Sequence, residues 1–190
     1  MARMSLEDFE ARYGANPDPW GYTTREYERR KYEATLAACG DGPFADALEL
    51  GGSIGVFSTL LAPRCERLTT IDAAPTAVAS ARRRLAGARQ VDVILGEIPD
   101  AIPIRDFDLV VASEILYYLT ASGLARTLRR LESAMVTGAR LVAVHWRPAG
   151  PERPFDARQV HMILREQPWL ERFASNGAGD AYRLDVLERI

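Results

Sequence analysis

Cysteine and histidine are nearly missing from this 190-residue chain, which has two of each. Cys39 and Cys65 lie far apart, and neither stands at metal-ligand spacing from His145 or His161, so the expectation is free thiols and no metal site. An excess of one charge is missing too: 24 Lys and Arg against 26 Asp and Glu leave a net charge of −2. Nucleic acid and anionic membrane surfaces are therefore not expected as partners. The run Arg82-Arg83-Arg84 reads as the solvated end of a helix, where cations suit the dipole. No apolar stretch approaches the roughly 20 residues of a membrane span. The first residues, with Arg3, Glu7, Asp8 and Glu10, have no signal-peptide core, which leads to the expectation of a cytoplasmic protein. Internal repeats, low-complexity segments and domain linkers are also missing, and the length suits one domain with a substantial core.

What is present is alternation. Ser5 and Asp8 form a capping-box pair that starts a helix ending near Gly14; Asn16-Pro17-Asp18-Pro19 then breaks it. Thr23 and Glu26 are a second such pair, predicting a helix over 24–38 on which Tyr27, Arg30, Lys31 and Ala34 share a face. Strands are expected at 45–50, 67–71, 90–95, 107–112 and 140–144, with helices at 56–62, 76–85 and 122–135 and Gly138 closing the last of these. A final helix should run from Pro154 to about Glu166. Strands at 169–173 and 182–187 follow, with Asn176-Gly177-Ala178-Gly179-Asp180 as the hairpin loop between them. Strand and helix in turn imply a parallel sheet covered on both faces; this one ends in an antiparallel pair.

The stretch around which the rest is arranged is Ala47-Leu48-Glu49-Leu50-Gly51-Gly52-Ser53-Ile54-Gly55-Val56-Phe57. It reads as strand, tight turn, helix. Glycine in the turn lets backbone approach a ligand closely, and the following helix offers free N–H groups. A dinucleotide fingerprint wants glycine at the first, third and sixth turn positions, where this chain has Gly51, Ser53 and Val56. Only the first fits. The pattern Glu49-x-Gly51-x-Ser53-x-Gly55 instead resembles the first motif of class I S-adenosylmethionine-dependent methyltransferases.

Ligands of open α/β sheets bind beyond the carboxyl ends of the strands. Asp72, twenty-one positions after Gly51, ends the second strand, where a carboxylate can accept hydrogen bonds from both ribose hydroxyls. Ala73 and Ala74 beside it are small enough for an adenine face. Glu97 and Ile98 follow the third strand. Ser113-Glu114-Ile115-Leu116-Tyr117-Tyr118-Leu119 follows the fourth.

The resemblance narrows further. Asp18-Pro19-Trp20, Tyr27-Glu28-x-Arg30-Lys31 with Thr35, Ala47-Leu48-Glu49, Leu61-Ala62-Pro63 with Cys65, Arg67-Leu68-Thr69, Ile71-Asp72 and Glu114 through Leu119 are similar to the NodS methyltransferases. That family N-methylates the glucosamine end of a chitin-oligosaccharide signal in nodulating bacteria. The likeness runs from Asp18 to Val144 and fades at His145-Trp146-Arg147-Pro148. It implies a three-layer, Rossmann-like α/β fold with a mostly parallel seven-stranded sheet. Residues 1–40 would be lid helices, 41–147 the cofactor-binding core and 148–190 a C-terminal helix and hairpin of the same domain.

The resemblance also implies S-adenosyl-L-methionine as cofactor. Trp20 and Tyr27 would pack near its methionine moiety, Arg30 or Lys31 would hold its carboxylate, and Gly51, Gly52, Ser53, Gly55 and Glu49 would form its turn. Asp72, Ala73 and Ala74 would hold ribose and adenine, Glu97 the adenine amino group and Ile98 the ring; Ser113 and Glu114 would pass beneath the methionine. Glu114, Tyr117 and His145 are the three candidates to take a proton from, or orient, a small-molecule acceptor such as an amino sugar or deacetylated chito-oligosaccharide. His161 is expected on the surface. A small-molecule O-methyltransferase is the alternative. Further off stand a nicotinamide-dependent oxidoreductase, disfavoured by the glycine spacing, and a cofactor-binding module without catalysis.

Overall fold

The computed structural model describes residues 4–175 and 181–190. Two helices, α1 (Leu6–Ala15) and α2 (Glu26–Cys39), precede the sheet. Ser5 and Asp8 cap α1 reciprocally, as expected. The second capping box does not form. Asp18 takes the Thr23 hydroxyl at 2.7 Å and its amide at 2.9 Å, so Arg25 becomes the N-cap of α2 without a side-chain bond.

Strand and helix then alternate as β1 (Ala47–Leu50), α3 (Val56–Leu61), β2 (Leu68–Asp72), α4 (Pro75–Arg84), β3 (Val91–Leu95), β4 (Phe107–Ser113), α5 (Ala121–Ala134) and β5 (Met135–Trp146). The chain ends with α6 (Ala157–Arg165), β6 (Leu170–Ser175) and β7 (Tyr182–Arg189). The seven strands form one sheet in the order β3-β2-β1-β4-β5-β7-β6, parallel from β3 to β5 and antiparallel at β7 and β6. This is the mostly parallel sheet with a terminal antiparallel pair that the sequence predicts. The loop expected at Asn176-Gly177-Ala178-Gly179-Asp180 lies outside the described residues.

Gly138 does not close α5. The helix stops at Ala134, and Gly138 lies inside β5 with φ +82°, where the pairing with β4 shifts register between Phe107 and Leu109. β4 offers ladder partners as soon as the helix ends, so the chain extends at once, and the glycine absorbs the bulge.

The central strands are buried on both faces, which is why they read as continuous apolar runs. On one face Leu48, Phe107 and Leu141 pack against Leu128 and Leu131 of α5 and Leu164 of α6. On the other, Leu109, Val111 and Val142 pack against Tyr32 of α2 and Phe57 and Leu61 of α3. Each fully buried leucine stabilises the fold by roughly 1.5–3 kcal/mol. Cys39 and Cys65 are buried free thiols, both pushed up to about 12 by burial. Among the described residues, no helix is long and apolar enough to cross a membrane.

Candidate functional site

A cavity of about 740 Å³ opens at the carboxyl ends of β1, β2, β3 and β4, partly roofed by α1, α2 and the segment between them. The order β2-β1-β4 makes β1 the point where the chain reverses direction across the sheet, and the crevice there is where open α/β sheets take ligands.

Its floor is the glycine turn. Gly51 (φ +76°) and Ser53 (φ +50°) face the cavity, and Gly55 (φ +78°) is the N-cap of α3. Gly52 and Gly55 do not line it; they permit packing instead. A Cβ on Gly52 would stand 1.8 Å from Thr70 Oγ1, and one on Gly55 3.1 Å from Ala81. Glu49 is buried behind the turn, accepting the Ser58 hydroxyl at 2.5 Å, and burial raises its pKa. Its placement is that of a buttress rather than a cavity wall.

Asp72 ends β2 and aims its carboxylate at the same turn. Oδ2 accepts the Ser53 amide at 2.8 Å and Oδ1 the Ala74 amide at 2.9 Å, while burial pushes its pKa up against these donors. Ala73, Ala74, Glu97 and Ile98 continue this wall. Tyr13 on α1, absent from the sequence-derived set, crosses the cavity mouth to share a 2.5 Å hydrogen bond with Ser53 Oγ. Trp20 packs edge-on against it at 5.3 Å. The only sequence sign of this contact is the aromatic pair Phe9 and Tyr13, four apart on one helix face.

The opposite wall is built on Glu114, just past β4 and next to Ser113, with φ +57°. A side chain held in that region costs of order 1–3 kcal/mol, and such strain concentrates at functional sites. Three donors hold the carboxylate: Lys31 Nζ at 3.0 Å, the Trp146 amide at 3.0 Å, and the Tyr117 hydroxyl. Lys31 also meets Glu28 at 2.8 Å and lies 5.4 Å from the Tyr27 ring. Burial opposes its charge, yet Glu114 and Glu28 outweigh burial and raise its pKa. Burial raises the Glu28 pKa despite Lys31. Burial and then the Glu114 charge raise that of Tyr117, which therefore stays a phenol donating to Glu114.

Two further candidates, besides Glu49, Gly52 and Gly55, do not line the cavity. Arg30 points away from the cavity, largely exposed, and binds Glu26 at 2.8 Å. Glu28, Lys31, Tyr32, Thr35 and Cys39 form the buried face of α2, so Arg30 falls on its outer side. His145 is wholly buried behind the short 3-10 turn Leu116–Tyr118. The Leu116 amide donates to its Nε2 at 3.2 Å, which places its proton on Nδ1. That N–H faces His161 Nε2 at 3.0 Å, and His161 Nδ1 donates to Asp185 at 2.8 Å. Arg165 completes the chain on Asp185 at 2.6 Å. His161 is thus a core residue and not a surface one. Both rings are neutral: burial holds His145 well below the usual histidine range and lowers His161 despite Asp185. His145 Nε2 is occupied by backbone, so the ring holds the turn carrying Tyr117 and does not face the cavity.

Besides Tyr13, the polar and charged wall residues with no forerunner among the sequence candidates include Arg25, Glu28, Trp146 and Arg153. The first precedes α2, and the last lies in the connection from β5 to α6, where the sequence shows no periodic signal.

Comparison with known proteins places this geometry. The family model described as nodulation protein S (NodS) matches residues 5–144. The chain is 37% identical over 106 residues to nodulation protein S of Rhizobium tropici, covering 55% of this chain and 44% of that one. To the protein of the same name from Bradyrhizobium diazoefficiens it is 38% identical over 103 residues, covering 54% and 49%. It spans about half the length of the curated relatives it matches. Among solved structures, the N-methyltransferase NodS from Bradyrhizobium japonicum WM9 in complex with S-adenosyl-l-homocysteine superposes with TM-score 0.86 at 26% identity, over 97% of this chain and 98% of that one. A putative methyltransferase from Pseudomonas syringae superposes with TM-score 0.75 at 36% identity, over 87% and 100%. With three-quarters of its length matched by one family model, and the same fold seen in a solved NodS, the chain belongs to the nodulation protein S (NodS) family.

Proposed function

We propose that this protein is an S-adenosyl-L-methionine-dependent methyltransferase acting on nitrogen of a small molecule of the amino-sugar type. The observation that carries the reading is the pairing, in one cavity, of a wall suited to a nucleoside with a wall suited to an amine. On the first, Gly51 and Ser53 present backbone while Asp72 presents a carboxylate with lone pairs left for two ribose hydroxyls. On the second stand Glu114 and Tyr117. The volume is in the range that takes a ligand of drug size with most of its surface buried.

Ala73, Ala74 and Ile98 would flank adenine, with Glu97 at its edge. Ser113 and the Glu114 backbone would run beneath the methionine portion. Lys31 is committed to Glu114 and Glu28, so Arg25 takes over the carboxylate role. It lines the cavity with no carboxylate in ion-pair contact among the described residues, though its charge reaches Glu28, in a segment whose Tyr22 packs beside Ile54 of the glycine turn. The NodS structure from Bradyrhizobium japonicum WM9 holds S-adenosyl-l-homocysteine, which supports the same cofactor here.

The bound cofactor supplies an electrophilic methyl group on sulfonium. The chain supplies alignment and a dry enclosure. Phe9, Tyr13, Trp20 and Tyr27 exclude water as part of a lid formed by α1 and α2. The Tyr117 proton is engaged with Glu114, so its oxygen lone pair is free to accept an N–H of a neutral amine and orient the nitrogen. As the amine loses a proton, Tyr117 receives it while passing its own to Glu114, whose charge Lys31 balances until then.

Calorimetric titration with S-adenosyl-L-homocysteine, and with NAD as control, tests the cofactor half. Wild type should bind the former alone, and Asp72→Ala should weaken it about tenfold or more. Transfer of labelled methyl from S-adenosyl-L-methionine to deacetylated chito-oligosaccharide then tests the acceptor class. Binding of NAD in place of the homocysteine compound would overturn the reading.

A further inference from the structure

Arg153 is set into the acceptor side of the cavity, in the connection between β5 and α6. Its guanidinium lies between two rings, with Cζ 4.6 Å from the centroid of Tyr117 and 5.5 Å from that of Trp146. Nη2 donates to the Pro148 carbonyl at 2.6 Å. The turn beneath is shaped around it: a Cβ on Gly150 would stand 2.6 Å from Nη2 and 2.9 Å from Nε. The group is therefore held in place, half-buried, and as a guanidinium it cannot shed its charge.

Among the described residues, no carboxylate answers that charge. Among the described residues none lies within ion-pair distance of Arg153; Glu152 beside it faces Arg12 at 3.6 Å. Glu114 is engaged by Lys31, the Tyr117 hydroxyl and the Trp146 amide. The other wall cations differ: Lys31 is paired with Glu28 and Glu114, Arg126 with Asp100, and the Arg25 charge acts on Glu28. Among the described residues, what meets Arg153 is two rings and one carbonyl oxygen. The remaining N–H donors form the planar fork that suits carboxylate and phosphate.

We propose that Arg153 is an oxyanion subsite for the acceptor: the molecule whose amine meets Tyr117 and Glu114 also carries a carboxylate or phosphate, bound by the Arg153 guanidinium on the adjoining face of the same ring. The amine half rests on the methyltransferase reading; the oxyanion half does not. Tyr117 would then contribute its hydroxyl to the amine and its ring to the cation, setting the spacing between the two groups of the acceptor.

The test is calorimetry on the full chain, with and without S-adenosyl-L-homocysteine, using glucosamine, glucosamine 6-phosphate and glucosaminuronic acid as probes. Wild type should bind one or both anionic sugars about tenfold or more tightly than glucosamine, the worth of one charge-assisted pair. The phosphate and carboxylate arms tell the two oxyanions apart. Arg153→Gln should abolish the preference, Arg153→Lys should keep part of it, and both should bind S-adenosyl-L-homocysteine within about twofold of wild type. Equal binding of all three sugars by wild type would overturn the proposal, as would a preference that survives Arg153→Gln. A tenfold loss of S-adenosyl-L-homocysteine affinity in Arg153→Gln would also overturn it, moving the cation to the cofactor. An intact anion preference in a wild type that does not bind S-adenosyl-L-homocysteine would support the subsite and sink the methyltransferase reading alone.

Discussion

Lys31 and Glu114, 83 positions apart in the chain, meet at 3.0 Å in the cavity wall. The lysine side chain is 3% exposed, and Glu28 holds it from the other side at 2.8 Å. One buried cation thus ties α2 to the strained residue that follows β4, and joins the roof of the cavity to the wall built on Glu114.

Lys31→Met should cost about 3–5 kcal/mol of stability, because it leaves carboxylates buried without their cation. Urea unfolding measures this. The triple change Lys31→Met, Glu28→Gln and Glu114→Gln should recover most of the loss. Equal stability of the single variant and wild type would mean that the ion pair holds nothing together.

Tyr117→Phe keeps the ring that packs on His145 and Arg153 and removes only the hydroxyl. Under the proposed mechanism kcat should fall by about 10²–10⁴. S-adenosyl-L-homocysteine affinity should stay within about twofold. Unchanged kcat would remove Tyr117 from the proton path.

The buried pair His145 and His161 makes the fold acid-sensitive. Both rings hold fewer protons in the folded chain than in the unfolded one, so their stabilisation is complete above the unfolded value of about 6.5 and declines as pH falls below it, by up to about 1.4 kcal/mol per pH unit per ring. Asp185, held at about 2 mainly by His161 and Arg165 against the opposing effect of burial, adds a further loss below about pH 4. Urea midpoints between pH 5 and 8, for wild type and a His145→Phe, His161→Phe double variant, check the histidine part. The double variant should lose that dependence; a slope identical to wild type would contradict it.

Glu10 on α1 accepts the Thr76 amide at 3.0 Å and the Thr76 hydroxyl, capping the first turn of α4 from outside. Glu10→Ala should weaken the docking of α1 by about 1–2 kcal/mol, the range for loss of a helix cap. Hydrogen exchange of the α1 amides should quicken by roughly tenfold, in proportion. S-adenosyl-L-homocysteine should restore protection if α1 is a lid. Exchange that ignores both the substitution and the ligand would argue against that role.

Local runs were readable where one stretch contains both the signal and its consequence. Gly51 through Gly55 declares a tight turn because only such residues tolerate its backbone, and Asp72 follows from the end of an apolar strand. The parallel direction of the core strands and the antiparallel final pair came from the alternation itself; their order across the sheet came from the tertiary structure. Gly138 misled, because glycine marks a helix end and a bulge equally, and only pairing with β4 chooses between them. Thr23 misled because Asp18 competes for its hydroxyl.

The sequence by itself determined the layered α/β fold, the glycine turn and which residues end the strands, since each is written in neighbouring residues. The tertiary structure alone decided which cations face the cavity. Helical spacing groups Tyr27, Arg30 and Lys31, but which sector of α2 meets the sheet depends on packing, and that packing buries Lys31 and turns Arg30 outward. It decided too that His145, His161 and Asp185, spread over 40 positions, form one hydrogen-bonded chain behind Tyr117. Partners so far apart leave no periodic trace, because their meeting is fixed by strand order and helix placement rather than by spacing along the chain.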